Sequence, residues 1–363
     1  MAKKVYIAAT SQNCGKTTMS VSLMHLARLR YKRVGFIKPI GPKYQMFGDL
    51  MVDLDAILMA RTFGLEEDIA LMNPVAMHKD FTREYLNGKM TKDVLEKSIL
   101  DAINALEEKY DFLIIEGAGH AGVGSVIGLN NAYVAHLIGA PVMIVTESGI
   151  GSTIDLVNLN LALFEKERAV VKMLLVNKIY AHNRDSILAF LKKGFSGNGL
   201  EIVGGFNFSP ILANPTLGHI SRLFKLPIHG DPEGRHRIIF KIQLGAAASQ
   251  RVVDLLQDSS LVVLTSSRDE LIVTLSSLYH IPSYRKKIVG LIVAGQTPVS
   301  PITQQILDDS NVPYIRIHDS TASIFSTIKE DVAKISVEDQ EKINWIKANA
   351  EKEIDFDAID ALL

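Results

Sequence analysis

Cysteine is almost missing from this chain of 363 residues. The single Cys14 excludes an intrachain disulfide and a zinc site made of several cysteines, and it suits a reducing cytoplasm, where we expect the protein to reside. Long apolar runs are missing too. The run over residues 5–9 is shorter than a signal-peptide core or a membrane span, so we interpret it as a buried strand and expect no membrane association.

A surplus of either charge is also lacking. The 39 basic and 40 acidic side chains leave a net charge of -1, whereas a general nucleic-acid binder needs a basic surplus to neutralise phosphates. Hydrophobic residues make up 47% and charged residues 22%, proportions that exclude a disordered chain. At roughly 100–200 residues per domain, the length indicates two or three domains.

Continuous apolar runs alternate with amphipathic segments in the first half of the chain. The predicted strands are residues 5–9, 34–40, 112–115, 141–146 and 173–177, and the predicted helices include 17–29, 53–63 and 92–109. Strands that are apolar throughout, rather than at every second position, are typical of a parallel sheet that helices cover on both faces. We therefore predict an α/β fold.

A second, smaller α/β set follows a break near residues 212–227, where Pro215, Gly218 and Pro227 interrupt the pattern. Its predicted strands are 237–244, 261–265, 288–294 and 314–317, with helices at 247–256, 269–279 and 301–310. The predicted segments are a domain over 1–215, a domain over 216–330 and a helical tail over 331–363. We interpret the tail, which contains Trp345, as a solvated helix; the alternative is a helix that covers a domain or mediates association.

The loop after the first strand has the composition of a phosphate-binding loop. Residues 10–18 read Thr-Ser-Gln-Asn-Cys-Gly-Lys-Thr-Thr and stand between a strand and a helix, which is the context of such loops. Gly15 allows close backbone approach, Lys16 reaches the β- and γ-phosphates, and Thr17 supplies a hydroxyl to Mg²⁺. Phosphate-binding loops commonly have a glycine five positions before the one that corresponds to Gly15, and this chain has Thr10 there, so the loop is a variant of the motif. The alternative interpretation is an ordinary capped helix that happens to contain Gly-Lys-Thr. The candidate nucleotide-binding residues are Thr10, Gln12, Asn13, Cys14, Gly15, Lys16, Thr17 and Thr18.

Glu116 is the second element of the candidate site. It ends an apolar strand and precedes Gly-Ala-Gly, so its carboxylate stands at the carboxyl end of a parallel strand, where α/β proteins bind ligands. There it can coordinate Mg²⁺ directly or through water. The glycine-rich residues 120–125 either fold over the γ-phosphate, hold a second anion or form a flexible connection. His120 within them is either a general base or a surface residue.

Other polar side chains follow the predicted strands. Lys38 ends the second strand, so we predict that Lys16 and Lys38 are the catalytic pair that neutralises a transferring phosphoryl group. Asp53 and Asp55 come next and could hold Mg²⁺ or a substrate amine, although a carboxylate at a helix N-terminus also interacts with the helix dipole. Asn177 follows a later strand and either reads a base edge or forms a turn.

These motifs resemble the dethiobiotin synthetase-like branch of P-loop proteins. The loop has that family's length and its threonine, and three more of the family's motifs are present: Lys38-Pro39, Asp55-Ala56 and Glu116–Gly119. A partition-type ATPase would instead carry an extra lysine early in the loop. Ser11 and Gln12 stand there, so we disfavour that branch.

The resemblance covers about residues 1–215. It implies a P-loop NTPase sheet that binds ATP and Mg²⁺, and it assigns Thr17, Asp55 and Glu116 as metal ligands. It also implies that Asn177 contacts the base. After the lysine-proline step the family continues with alanine-serine-glycine, whereas this chain continues with Ile-Gly-Pro-Lys. Contacts to a diamine substrate are therefore not evident, and we expect a different activity.

The second half resembles the DRTGG domain. The pair of domains resembles the amino-terminal, non-catalytic region of large bacterial phosphate acetyltransferases, and we expect no room for their catalytic domain. The DRTGG signature is degraded, because Ser267-Arg268-Asp269 and Ala294-Gly295-Gln296 replace glycine-aspartate-arginine and threonine-glycine-glycine. The signature therefore does not indicate a ligand for this domain.

Two functions of different classes are open. The first is an enzyme, an ATPase or an ATP-dependent ligase of dethiobiotin synthetase type that activates a carboxylate or carbamate by phosphoryl transfer. The second is a non-enzymatic, nucleotide-sensing regulator whose second domain contacts a protein partner. We expect a homo-oligomer, specifically a dimer, and no nucleic acid as partner. Because residues 1–215 hold every phosphate and metal candidate, we expect a chain ending near Leu212 to bind ATP on its own.

Overall fold

The computed structural model describes residues 2–331 and 334–363 and divides into two compact units. The first unit combines Met1–Phe208 with Ile335–Leu363, and the second unit is Ser209–Lys334. The chain therefore leaves the first unit, forms the second and then returns to the first. Our predicted first boundary lies a few residues later than this break, and the predicted tail is part of the first unit.

The first unit is built on parallel strands. Its strands are β1 (Lys3–Ala9), β2 (Val34–Ile37), β3 (Ile40–Gly41), β4 (Tyr44–Phe47), β5 (Leu50–Asp53), β6 (Val75–Ala76), β7 (Phe112–Glu116), β8 (Val142–Glu147), β9 (Val171–Ile179) and β10 (Glu201–Asn207). Six of them form one sheet in the order β10-β9-β8-β1-β7-β2, with every pairing parallel. β3 pairs with β6, while β4 and β5 form an antiparallel hairpin. The predicted α/β class is confirmed.

Helices connect these strands. They are α1 (Lys16–Arg30), α2 (Leu54–Phe63), α3 (Ile69–Met72), α4 (Phe81–Leu86), α5 (Lys92–Lys109), α6 (Asn131–Ile138), α7 (Gly151–Lys166) and α8 (Arg184–Gly194). The apolar side chains of β1, β7 and β8 are almost completely buried, as their uninterrupted apolar sequences predict. No helix in the described part of the chain is long and apolar enough to cross a membrane.

The second predicted strand is shorter than expected. It ends at Ile37, because Lys38 turns its backbone N–H to the carbonyl of Met72 at 2.8 Å and Pro39 has no N–H for the ladder. The next two residues form β3, which pairs with β6 outside the main sheet. Lys38 therefore lies just past the carboxyl end of β2, where its side chain reaches Asp55 and Glu116.

The second unit has its own parallel sheet. Its strands are β11 (Lys241–Leu244), β12 (Ser260–Thr265), β13 (Ile288–Ala294) and β14 (Tyr314–Ile317). Its helices are α9 (Pro210–Ala213), α10 (Leu217–Phe224), α11 (Ser249–Asp254), α12 (Asp269–Tyr279), α13 (Pro282–Lys287), α14 (Pro301–Asp309) and α15 (Thr321–Glu330). Neighbours in this sheet are consecutive in sequence and parallel. The strand predicted over 237–244 begins only at Lys241, because Ile238 forms an isolated antiparallel bridge with Thr216 and the Ile239 N–H donates to the Pro215 carbonyl at 2.8 Å.

The returning segment contains α16 (Gln340–Glu353) and α17 (Phe356–Ala361), both of which pack on the first unit. Ile343 and Ile346 are completely buried, and the Trp345 ring meets Phe206 of β10 edge-on, with centroids 5.6 Å apart. The interpretation of this tail as a solvated helix is therefore wrong. Apolar residues at helical spacing, hidden among many charges, form the face that covers α1 and β10.

Candidate functional site

The loop over residues 10–18 lies between the end of β1 and the start of α1. Gly15 has a φ of 96°, a left-handed conformation that side chains other than glycine rarely adopt. A Cβ atom at this position would come within 2.1 Å of Nδ2 of Asn177. Gly15 is therefore required by its backbone angle and by the close approach of a neighbouring side chain, independently of any phosphate.

Lys16 and Thr17 begin α1 and point towards the strand end that carries Glu116. The Lys16 ammonium donates to the Gly119 carbonyl at 2.7 Å, and burial holds the pKa of Lys16 below its usual value, with the Glu116 carboxylate opposing that shift. The Thr17 hydroxyl donates to Oε1 of Glu116 at 3.2 Å. The predicted loop residues and the predicted carboxylate thus form one cluster.

Glu116 is completely buried at the end of β7, which pairs with β1 and β2. Its Oε2 accepts a hydrogen bond from the Ser20 hydroxyl at 2.6 Å. Burial raises the pKa of Glu116, and the positive charge of Lys38 counteracts part of this rise. The hydroxyls of Thr17 and Ser20 and the Lys38 ammonium together surround the carboxylate.

Lys38 lies among three carboxylates. Its ammonium pairs with Asp55, lies 3.3 Å from Glu116 and 3.4 Å from Asp53, and is itself buried. Burial alone would lower the pKa of Lys38, but the carboxylates outweigh it and hold the pKa well above its usual range. The structure therefore brings Lys38 and Asp55 together with Glu116, as the sequence predicts for one crevice, but with the ammonium inside the carboxylate cluster.

Asp53 has a structural task besides this pairing. Its side chain caps α2 by accepting from the backbone N–H of Asp55 at 2.9 Å, and it also accepts from the backbone N–H of Lys43 at 3.1 Å. Its own backbone N–H donates to Asn73 at 2.9 Å. The helix predicted to start at Asp53 therefore starts one residue later, at Leu54, with Asp53 as its cap.

Asn177 contacts the loop in this structure. Its Nδ2 donates to the Cys14 carbonyl at 2.7 Å, and its Oδ1 accepts from the backbone N–H of Lys178 at 2.8 Å. The side chain is buried, and its contact with Gly15 is the close approach described above. Asn177 thus braces the loop, and a contact with a base remains a prediction.

The remaining loop residues differ in exposure. Gln12 and Asn13 are exposed, whereas Thr10, Cys14 and Thr18 are buried. The Thr10 hydroxyl donates to Thr146 at 3.2 Å, which joins the loop to the end of β8, and the Cys14 sulfur lies 3.6 Å from the Thr10 hydroxyl.

Two asparagines that the sequence did not single out hold the glycine-rich segment after Glu116. Asn131 donates to the Ala118 and His120 carbonyls, each at 2.5 Å. Asn160 accepts from the backbone N–H of Ala121 at 3.1 Å and donates to the Thr10 carbonyl at 3.2 Å, so it links this segment to the phosphate loop. Single asparagines in distant helices carry no recognisable motif, and only the fold reveals their role.

The cluster can supply oxygen ligands but no complete metal cage. Within residues 2–331 and 334–363, no group of three or more His, Cys, Asp or Glu side chains is arranged to hold a metal ion. Carboxylate and hydroxyl oxygens from Glu116 and Thr17 nevertheless meet beside Lys16. His120 is exposed, and its Nδ1 accepts from the backbone N–H of Gly122 at 3.2 Å.

Comparisons with known proteins identify the family to which the sequence belongs. A family model described as an AAA domain, AAA_26, matches residues 3–216. Phosphate acetyltransferase of Nitratidesulfovibrio vulgaris strain Hildenborough is 25% identical over 98% of this chain and 51% of its own length. ATP-dependent dethiobiotin synthetase of Methanocaldococcus jannaschii is 29% identical over 32% of this chain and 52% of its own length. The chain thus spans about half the length of the curated relatives it matches.

Among solved structures, the MinC:MinD cell division protein complex of Aquifex aeolicus aligns with 58% of this chain and 84% of its own, at 16% identity and a TM-score of 0.36. The predicted similarity to dethiobiotin synthetase and phosphate acetyltransferase is confirmed by the sequence relatives. From the loop, the glutamate and the family match, we conclude that the chain belongs to the AAA_26 family and that its first unit is a P-loop NTPase-like domain.

Proposed function

We propose that the first unit binds ATP through the loop over residues 10–18. The observation that carries the proposal is the cluster at the carboxyl edge of the sheet, where the Thr17 hydroxyl donates to the Glu116 carboxylate and the Lys16 ammonium donates to the Gly119 carbonyl. That edge is where parallel α/β sheets bind ligands, and the N-terminus of α1 favours phosphate. The related dethiobiotin synthetase is named as ATP-dependent, which supports ATP as the nucleotide.

Magnesium fits the donor set. Mg²⁺ prefers oxygen ligands and commonly takes one or two carboxylates from the protein, with substrate phosphates and waters completing the shell. Glu116 and Thr17 would hold it, and Asp55 is the third candidate. When bound, the ion would neutralise charge on the phosphates. The incomplete protein cage is therefore compatible with a metal that arrives with the nucleotide.

Phosphoryl transfer is the reaction class that the side chains support. Lys16 would bind the β- and γ-phosphates, and Lys38 would stabilise the charge of the transferring group once it leaves its carboxylate partners. A regulator that only senses the nucleotide is the second candidate. The observation in its favour is that Lys38 is fully engaged by Asp55, Glu116 and Asp53.

The second unit is proposed to be a DRTGG-like domain that contacts a protein partner. Its support is the alignment of almost the whole chain with the phosphate acetyltransferase. A homodimer and a cytoplasmic location remain predictions from the sequence.

Calorimetry with Mg·ATP tests the site. Lys16→Ala should weaken binding about 10- to 100-fold, because a hydrogen bond to a charged group contributes roughly 1.5–3 kcal/mol. Lys97→Ala, which removes an exposed lysine from α5, is the matched control and should bind like the parent. Equal ATP affinity of the parent and the Lys16 variant would contradict the assignment.

ATP turnover separates the enzyme from the regulator. We would measure phosphate release with Mg²⁺ alone and with added bicarbonate or simple carboxylates. Stimulation by an acceptor, lost in Lys38→Met, supports phosphoryl transfer. Tight ATP binding without turnover under any of these conditions supports the sensing role.

A further inference from the structure

An exposed aromatic pair lies at the same sheet edge as the phosphate loop and has no part in the site described above. Tyr180 directly follows β9 and Phe208 directly follows β10, which is the neighbouring strand. The backbone N–H of Phe208 donates to the Ile179 carbonyl at 2.7 Å, and this bond holds the two residues side by side. The ring centroids are 5.4 Å apart.

Both rings are open to solvent. Tyr180 is 58% exposed and Phe208 is 39% exposed, although each side chain is large and largely apolar. The ring of His182 extends the surface, with its centroid 6.1 Å from that of Tyr180. Exposed aromatic rings bind planar bases by stacking, and this stacking depends little on the identity of the base.

Asn177 connects this surface to the loop. It stands three residues before Tyr180, and its amide holds the Cys14 carbonyl at 2.7 Å. Along the sheet the order is β1, β8, β9 and β10, and one strand spacing is about 4.8 Å. The aromatic pair therefore lies about 10–14 Å along the edge from the strand that carries the loop. A ligand with phosphates in the loop that extends along this edge would reach the rings at its far end.

We propose that Tyr180 and Phe208 form the platform on which the base of the bound nucleotide stacks. The inference rests on the proposed ATP binding and adds the residues that contact the base. Lys178, between Asn177 and Tyr180, is held by an ion pair with Glu147 of β8, so the backbone that presents the platform is anchored to the neighbouring strand.

Two probes separate the platform from the phosphate site. Calorimetry on the full chain with Mg²⁺ would compare ATP with inorganic tripolyphosphate, which offers the phosphates without a base. Tyr180→Ala and Phe208→Ala should each lower the ATP affinity roughly tenfold and leave the tripolyphosphate affinity unchanged. Tyr180→Phe keeps the ring and should bind ATP like the parent. Since both side chains are exposed, the variants should fold, which circular dichroism verifies.

The outcomes are distinct. Unchanged ATP affinity in both alanine variants would overturn the platform, and so would equal losses for the two probes. A parent chain that binds tripolyphosphate and ATP equally well would also overturn it, since the base would then contribute nothing. A parent chain that binds neither probe would refute the proposed ATP site, and the platform with it.

Discussion

The carboxyl edges of the two parallel sheets both carry basic residues, yet Lys38 of the first unit and Arg316 of the second have partners of different kinds. In the first unit, Lys38 pairs with carboxylates that are themselves candidate metal ligands. In the second unit, Arg316 is part of β14, and its guanidinium donates to the backbone carbonyls of Val293 and Gly295 at 2.8 and 2.5 Å. Arg268 donates to the Gly245 carbonyl at 3.0 Å and also forms an ion pair with Glu270.

This difference shows why position at a sheet edge does not by itself make a ligand site. Side-chain partners can exchange for a phosphate or a metal, whereas backbone carbonyls left without a donor cost free energy. The arginines of the second unit therefore stabilise loops of that unit. In the first unit, in contrast, Lys38, Asp55 and Glu116 pair through their side chains in a buried cluster.

The largest expected effect concerns the returning segment. Ending the chain at Lys334 should unfold the first unit, because burial of Ile343, Ile346 and Ile359 contributes roughly 5–9 kcal/mol, which is comparable to the total stability of a domain. The same argument changes our expectation for a chain ending near Leu212, which should also fail to fold. Circular dichroism and ATP calorimetry would measure both losses.

A chain that keeps the returning segment is the control. Phe208 would be joined to Ile335 by a flexible glycine-serine linker in place of the second unit. This protein should remain folded and bind ATP. A stable, ATP-binding protein without residues 335–363 would contradict the structural role of the segment.

The next largest effect tests whether Arg316 stabilises the second unit through its bonds to backbone carbonyls. Arg316→Ala should lower the free energy of unfolding of the second unit by about 2–4 kcal/mol, because carbonyls at the end of β13 lose their donor. ATP affinity should not change. Arg251→Ala, at an exposed position of α11, is the control and should change stability by less than about 0.5 kcal/mol. A loss of ATP affinity in Arg316→Ala with normal stability would place part of the nucleotide site in the second unit.

A matched pair of glycines compares the two edges directly. Gly15 and Gly295 have φ angles of 96° and 101°, so alanine carries a backbone cost of roughly 1–3 kcal/mol at either position. A Cβ at Gly15 also collides with Asn177, whereas one at Gly295 has its nearest neighbour, the Ser266 hydroxyl, at 3.5 Å. Thermal unfolding should therefore show a larger loss for Gly15→Ala. The double variant Gly15→Ala with Asn177→Ala should recover part of the lost thermal stability, because the side chain that collides with the new Cβ is removed. An equally large loss in the double variant would contradict the collision.

The smallest expected effect is pH-dependent. Burial opposes ionisation of Asp360, but hydrogen bonds from Lys3 and Tyr31 outweigh it and hold the pKa of this carboxyl below its usual value. The stabilisation is therefore present above the unfolded-state pKa of about 3.9 and is lost as the pH falls towards the lower folded-state pKa. Asp360→Asn should cost about 1 kcal/mol at neutral pH, and less in acid. Urea unfolding at several pH values measures this, with the exposed Asp357→Asn as control.

Much of the architecture could be predicted from local patterns. The apolar run that ends in Glu116 and the helix that begins after Gly15 both appear where the sequence places them, because an apolar run between polar turns has few other ways to bury itself. The returning segment could not be placed. Its many charges led to the interpretation of a solvated helix, because its few apolar residues do not indicate that they cover a particular surface.

The sequence by itself determined two parallel α/β sheets and the phosphate loop with its glutamate, since these depend on composition and short spacing. Only the tertiary structure decided which residues contact each other across the first unit. It set Lys38 among three carboxylates, turned Asn177 towards the loop and brought the residues after Lys334 back to the first unit. Contacts between residues far apart in sequence depend on how whole elements pack, and no local pattern encodes that packing.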